Sequence, residues 1–279
     1  MNLAKQDYQK AIELNSNCAE AYCGLGEVAR VQGYELSIYL KITPFGWFLI
    51  GNEQFNKEKV AHSVKQAKNE AATLYQQAIN LAPDNKNLYY TRARFYEDIE
   101  LYTFAAEDWS KVIELDSNDF YAYVKRGVNL NNSQDYVSAL QDFNKALDLI
   151  QTQDYGNATY LEKEINPKYM REIKFSYYDP NSYLLTIYEG RADAYLGLKE
   201  YEKALEDFNK VVGRKNPVIV RRNPAVVYCK RAQVYEALEQ PARALADYNR
   251  ALEIDKKYKP AKEGKKRTEK AAKNLAKLR

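Results

Sequence analysis

Apolar and polar positions follow a helical period along most of the chain, and the same period returns in copies. In "ALADYNRALEID", residues 244 to 255, Ala244, Tyr248 and Ala251 fall on one face of a helix. Close copies open at Ala4, Ala71, Ala105, Ala139 and Ala204, so the steps along the chain are 67, 34, 34, 65 and 40 residues. The unit is 34 residues, and each copy predicts a helix with a narrow packing stripe, termed helix B. About sixteen residues ahead of each complete copy stands a second pattern, an aromatic followed four places later by a small residue: Tyr22 and Gly26, Tyr89 and Ala93, Tyr123 and Gly127, Tyr188 and Ala192, Tyr228 and Ala232. This predicts helix A, whose small residue lets the two helices approach to ~8–10 Å.

Two steps are long. The first holds 33 extra residues inside one repeat, where Phe55, Val60, Val64, Ala67, Ala71, Tyr75 and Ala78 predict one long helix B. The segment before it carries Tyr39, Phe45, Trp47, Phe48, Leu49 and Ile50, an apolar protrusion or a packed hairpin and a candidate contact surface. The second contains Asn166-Pro167 and Asp179-Pro180-Asn181, a degenerate repeat or an irregular loop. The chain thus divides into a lone helix B over 1–18, repeats at 19–85 (insertion about 35–70), 86–119, 120–152, 185–224 and 225–258, the insertion or degenerate repeat at 153–184, and a basic capping helix at 259–279.

The 34-residue helix-turn-helix, its aromatic-to-small spacing, Ala-x3-aromatic-x2-Ala and the "LAPDN" exit at 81–85 resemble the tetratricopeptide repeat. The likeness covers about four fifths of the chain. Ser16, Ser117, Gln151 and Lys256 depart from it at the exit proline, and the Leu-Gly pair stands only at Leu25-Gly26. The resemblance implies an all-α, right-handed superhelical solenoid of antiparallel helix pairs, with two insertions and a C-terminal cap. It also implies a non-enzymatic scaffold whose helix A faces line a groove for a partner peptide or helix. Asn87, Tyr90, Thr91, Arg94, Tyr121, Lys125, Val128, Asn132, Glu189, Asp193, Cys229, Lys230, Gln233 and Glu236 take the inward places. Arg94, Lys125 and Lys230 are the candidates for gripping an acidic or carboxylate-bearing ligand, with Tyr90 and Tyr121 as packing surfaces. The carboxylate clamp of the co-chaperone subfamily is absent, because Tyr90, Arg94, Lys125, Thr186 and Gly190 occupy its places.

Comparing the copies with one another yields a pairing. Arg precedes the small residue of helix A and Asp lies sixteen further on in four copies: Arg92 with Asp108, Arg126 with Asp142, Arg191 with Asp207, Arg231 with Asp247. The copy near Ala19 has Leu25 and Leu74 instead, so both partners are lost together. An interhelical ion pair is expected in each of the four. At the N-terminus, Ala4 to Leu14 is a helix B with no helix A before it. Its apolar face needs cover from upstream residues, from a second chain through self-association, or from the array itself.

Composition agrees with helices: hydrophobic residues are 46%, while Gly 11 and Pro 8 are too few for a turn-rich β protein. Net charge is +4, yet residues 256–279 hold eleven Lys or Arg against two Glu. That tail is read as a solvated cap. The alternatives are a nucleic-acid or acidic-surface adaptor working through it, or an assembly subunit docking through the N-terminal helix. Nucleic acid is disfavoured because Tyr258 is its sole aromatic. Cys18, Cys23 and Cys229 form no CxxC pair, which points to a reducing, cytoplasmic setting. No apolar run reaches the ~18 residues of a membrane span, and "NLAKQDY" after Met1 is no secretory signal. The lone histidine, His62, is read as a surface residue and "GLGEVA" at 24–29 as a close-packing site. With no Walker loop, HExxH, GxSxG or metal-spaced cluster, neither catalysis, a cofactor nor a metal is expected.

Overall fold

The structure, a computed structural model, describes residues 2–42, 57–152, 180–213 and 223–277. All regular structure among them is α-helix. The chain separates into two compact units, Met1–Ser117 and Asn118–Arg279. In the first, α1 (Asn2–Leu14) packs on α2 (Ala19–Ile42), which pairs with α3 (Lys57–Leu81), and α4 (Lys86–Asp98) pairs with α5 (Tyr102–Leu115). In the second, α6 (Phe120–Asn132) pairs with α7 (Tyr136–Thr152), α8 (Pro180–Gly197) with α9 (Tyr201–Val212), and α10 (Pro224–Ala237) with α11 (Pro241–Ile254). The last helix, α12 (Lys259–Lys277), rests on α11 and α10.

Polar side chains open several A helices. Asn85 accepts from the Asn87 N–H, Asp119 from Ala122 and Asn223 from Ala225, each satisfying an otherwise orphan donor. Two boundaries differ from the sequence expectation. Of the insertion at about 35–70, residues 35–42 continue α2 and residues 57–70 belong to α3, so α2 as well as α3 is long. Residues 180–184, assigned by sequence to the stretch 153–184, are helical, and Pro180 opens α8 as its first helical residue, where its missing N–H costs nothing. Residues 180–184 therefore belong to the helix pair after the insertion. The aromatic segment at 43–56 and the stretch at 153–179 lie outside the described residues.

Each helix B after α1 buries its aromatic: Tyr75 is 1% exposed, and Trp109, Phe143, Phe208 and Tyr248 are 0% exposed, whereas Tyr8 on α1 is 36% exposed. Small residues make the room. A Cβ on Gly26 would lie 2.8 Å from the Tyr75 ring, and the Phe143 ring is gripped between Gly127 and Gly190. The polar edges of these rings have partners too. Trp109 Nε1 donates to Glu97 (2.9 Å), Tyr248 Oη to Glu236 (2.7 Å), and Tyr75 Oη to Glu27. Glu97 and Glu236 each stand four residues after the small residue of helix A. Where helix B carries Phe143 or Phe208, which need no acceptor, the same place holds Asn131 or Leu196.

All four expected ion pairs form between helix A and helix B. In each, the Arg Nε and Nη2 donate to both oxygens of the Asp, at 2.6–3.0 Å across the set. The four aspartates are buried. Burial and the aspartate hydrogen bonds act in opposite senses on the guanidinium groups, and the hydrogen bonds prevail, holding Arg92 and Arg231 above the usual arginine range. Three of these arginines also bond the preceding helix B: Arg92 to Gln76 (2.6 Å), Arg191 to Asn144 (2.7 Å) and Arg231 to Asn209 (2.9 Å). A tyrosine three residues earlier faces each guanidinium, Tyr123 at 5.6 Å being the nearest of the four. One arginine thus ties its own pair to its neighbour. In the leucine-bearing repeat, Leu74 packs beside Ala29, Ala71 and Phe95, and Arg30 on α2 reaches Asp98 on α4 instead (2.6 Å).

Four turns from A to B among the described residues share one form. Glu100, Gln134, Lys199 and Glu239 have φ of 56–66°, and the N–H three residues past each helix end returns to a carbonyl five back, as Leu101 to Tyr96 (2.9 Å). Left-handed backbone costs a side-chain-bearing residue ~1–2 kcal/mol, partly offset by the chain entropy glycine loses. Glu239→Gly is expected to leave stability unchanged or raise it by up to ~1 kcal/mol, whereas Glu239→Val lowers it, in thermal unfolding followed by circular dichroism.

The cap is held by a half-buried polar cluster. Glu236 accepts from Tyr248, from Arg267 Nη2 (2.5 Å) and from Thr268, whose hydroxyl also donates to the Gly264 carbonyl (2.9 Å). Burial works against the Glu236 charge, but Arg267, Thr268 and Tyr248 outweigh it and hold its carboxyl below the ordinary 4.5. A carboxyl depressed on folding contributes stability that is complete above its unfolded value and lost as pH falls through the folded one. Amide protection in α12 is therefore expected to fall on acidification below about pH 4, and the fall should be blunted in Glu236→Gln.

Candidate partner-binding face of the A helices

Helix A turns one side to its helix B and leaves the other for solvent. On α4, Asn87 and Arg94 are exposed, while Tyr90 is half-buried with its ring edge-on to Trp109 at 4.7 Å. Tyr90 thus works partly as core. On α6, Tyr121 and Lys125 are half-buried and Asn132 is exposed; the Tyr121 ring meets Tyr183 of α8 edge to face at 5.5 Å, and Lys125 Nζ lies 5.9 Å over the Tyr121 ring. These three side chains make one amphipathic cluster. On α10, Gln233 is exposed, and Lys230 Nζ bonds Asp193 of α8 at 2.6 Å with Glu189 at 3.6 Å.

Lys230 therefore differs from the sequence expectation of a ligand-gripping cation. Its charge is matched within the chain, where it bridges neighbouring A helices. Cys229 is buried and Glu236 is drawn into the cap cluster, so neither presents its polar end to the face. Burial pushes the Cys23 and Cys229 thiols up to about 11, which keeps them protonated at neutral pH. Asn87, Tyr90 and Arg94 share α4 in the first unit, and Tyr121, Lys125, Asn132, Lys230 and Gln233 lie in the second. The sequence placed Glu189 and Asp193 on the inward face without pairing them to Lys230, and it gave no sign of Tyr183 beside Tyr121. Asp193 lies 37 residues before Lys230, three short of the 40-residue step between these two repeats.

Among the described residues no three His, Cys, Asp or Glu side chains are grouped to hold a metal, and His62 is exposed on α3. Gly24 and Gly26 of "GLGEVA" sit inside α2 against the rings of Tyr8 and Tyr75, as close-packing positions and not a phosphate loop. No described helix is long and apolar enough to cross a membrane.

A family model of the tetratricopeptide repeat matches residues 183–257, the span of α8 to α11. The chain has the tetratricopeptide repeat fold. Solved structures share the fold across its length. YrrB, a TPR protein with an unusual peptide-binding site, is 16% identical over 94% of this chain and 100% of its own, with a TM-score of 0.56. Cut9–Hcn1 of an APC/C hetero-tetramer is 17% identical over 96% of this chain and 46% of the matched one, with a TM-score of 0.54. MamA is 18% identical over 73% of this chain and 98% of its own, at 0.50. Identities this low establish the tetratricopeptide fold alone. Proteins of this repeat class are in general non-enzymatic scaffolds for protein–protein contacts.

Proposed function

We propose that this chain is a non-enzymatic scaffold that binds a segment of a partner protein on the helix A face of residues 118–279. The observation that carries the reading is the Tyr121, Tyr183 and Lys125 cluster, half-exposed rings with a cation beside them on the side of α6 and α8 turned from their B helices. Such a cluster supplies stiff apolar contact area and one charge for a carboxylate. Gln233 and Asn132 add exposed amides that can bond an extended backbone. Lys230 is left out as an anchor, since a ligand carboxylate would have to displace Asp193. Arg94 and Asn87 offer an equivalent but separate site on the first unit, and the partner segment is read as acidic at the lysine. The free thiols Cys18, Cys23 and Cys229 support a reducing, cytoplasmic setting.

The test compares capture from the source lysate by the intact chain and by a Tyr121→Ala, Lys125→Glu variant of equal helicity. The scaffold reading expects a partner retained by the first and lost by the second. Equal capture by both would place recognition elsewhere on the chain.

A further inference from the structure

We propose that the solvent side of α12 is a contact surface for an anionic lipid bilayer. The inference is independent of the binding face assigned to α6 and α8. It starts from the spacing of one residue type. Lys259, Lys262, Lys266, Lys270 and Lys273 recur at steps of three or four, so at 3.6 residues per turn they leave the axis within about 80° of one another and form a row about 21 Å long. All five are exposed. The opposite side of the helix holds Ala261, packed in the core of α10 and α11, Gly264 against the Tyr248 ring, and Thr268 bonded to Glu236.

Charge along the row is left unbalanced. On the B helices exposed cations pair three residues away: Lys111 with Glu114 (2.6 Å), Lys145 with Asp148 (3.4 Å), Lys203 with Glu200 (2.5 Å) and Arg250 with Glu253 (2.6 Å). In the row Lys259 alone has such a partner, Glu263 at 3.7 Å, while Lys262, Lys266, Lys270 and Lys273 form no ion pair among the described residues. Four ammonium groups side by side raise the local positive potential. Packing an apolar helix over them would strip their water with no opposite charge in return, so the row is not a surface for a further repeat.

The shape of the charge selects the partner. A cylinder resting on a plane touches it along its crest, and the lysines occupy only the crest. Glu263 and Glu269 border the row on its two sides, where a helix lying in a nucleic-acid groove would meet the phosphates of both walls. Between Lys259 and Lys273 there is no Asn, Gln or aromatic to read or stack on bases, and the single arginine, Arg267, is drawn to Glu236. Acidic lipid headgroups ask only for positive charge at their surface, and a row with no apolar member meets them without inserting.

The full chain is sedimented with sucrose-loaded vesicles of phosphatidylcholine, alone or with about 30% phosphatidylserine, at low salt and at about 0.15 M. Binding is expected to the phosphatidylserine vesicles alone and to weaken as salt rises. Lys262→Gln, Lys266→Gln and Lys270→Gln together are expected to weaken it about a hundredfold, each lysine carrying about fivefold. Far-UV circular dichroism and Tm should not change, because the three side chains are exposed. Lys111→Gln, Lys145→Gln and Lys203→Gln together remove the same charge from the B helices and are expected to change binding by less than about fivefold. No binding to phosphatidylserine at low salt, equal binding to pure phosphatidylcholine, or equal weakening by the two variants overturns the proposal. So does an oligonucleotide, duplex or single-stranded, that is held more tightly than the vesicles at the same salt and released by the row variant, which would make nucleic acid the occupant.

Discussion

Arg231→Leu alone, or Asp247→Leu alone, is expected to destabilise the second unit by about 3–5 kcal/mol, because each leaves a desolvated charge without its partner. The Asp247 side chain is 8% exposed and Arg231 15%, so water does little to replace either lost bond. On the scale of ~2–4 °C per kcal/mol for a unit of this size, Tm falls by roughly 10 °C. Replacing both residues by Leu is expected to cost far less, about 1 kcal/mol, since no charge remains to be orphaned. The chain carries its own precedent in Leu25 and Leu74, where the pair is absent and the helices still pack. The three variants together form a double-mutant cycle, read by thermal unfolding. A double variant as unstable as the two singles added together would show that the arginine acts through Asn209 and Tyr228 and not through Asp247.

The second large effect is steric. Gly190 is 59 residues from Asn131, which donates to its carbonyl at 2.6 Å, and its Cα is in the path of the Phe143 ring. A side chain there overlaps three ring atoms of a residue that is 0% exposed and already held by Gly127 on its other side. Gly190→Val is expected to lose about 3 kcal/mol, the overpacking penalty exceeding the ~1 kcal/mol that removing a mid-helix glycine returns. Gly33→Ala is the control. Its new methyl would stand 3.4 Å from the Ala67 Cβ, an ordinary contact, so helix propensity decides and stability rises by up to ~1 kcal/mol. Denaturant midpoints for the two variants check both signs at once.

Much of this architecture was legible because a repeat writes the same instruction several times. Ala244, Tyr248 and Ala251 define a packing stripe, and Ala105, Trp109 and Val112 define it again. The Arg–Asp pairs could be read because the copies either keep both members or lose both. The A-to-B turns were less legible, since left-handed residues that glycine usually fills are here Glu100, Gln134, Lys199 and Glu239. The start of α8 was not legible, because Asp179-Pro180-Asn181 stands in a stretch that reads equally as a degenerate repeat and as an irregular loop. For the binding face, sequence gave position but not electrostatic state. Lys230 looks like an available cation until Asp193 and Glu189 are brought to it by the packing of α8 against its neighbours. Tyr183 lies next to Tyr121 only because the long insertion ends where α8 returns to α6.

The most direct test of the scaffold claim is site-specific photocrosslinking in the source cell. A photoreactive residue is placed at Asn132 or Gln233 on the A helices, and separately at Lys145 or Glu253 on the exposed sides of α7 and α11. The account predicts a discrete partner crosslinked from Asn132 and Gln233, abolished by Tyr121→Ala with Lys125→Glu, and none from Lys145 or Glu253. A partner captured from the B helices alone, with the A helices silent, would contradict it.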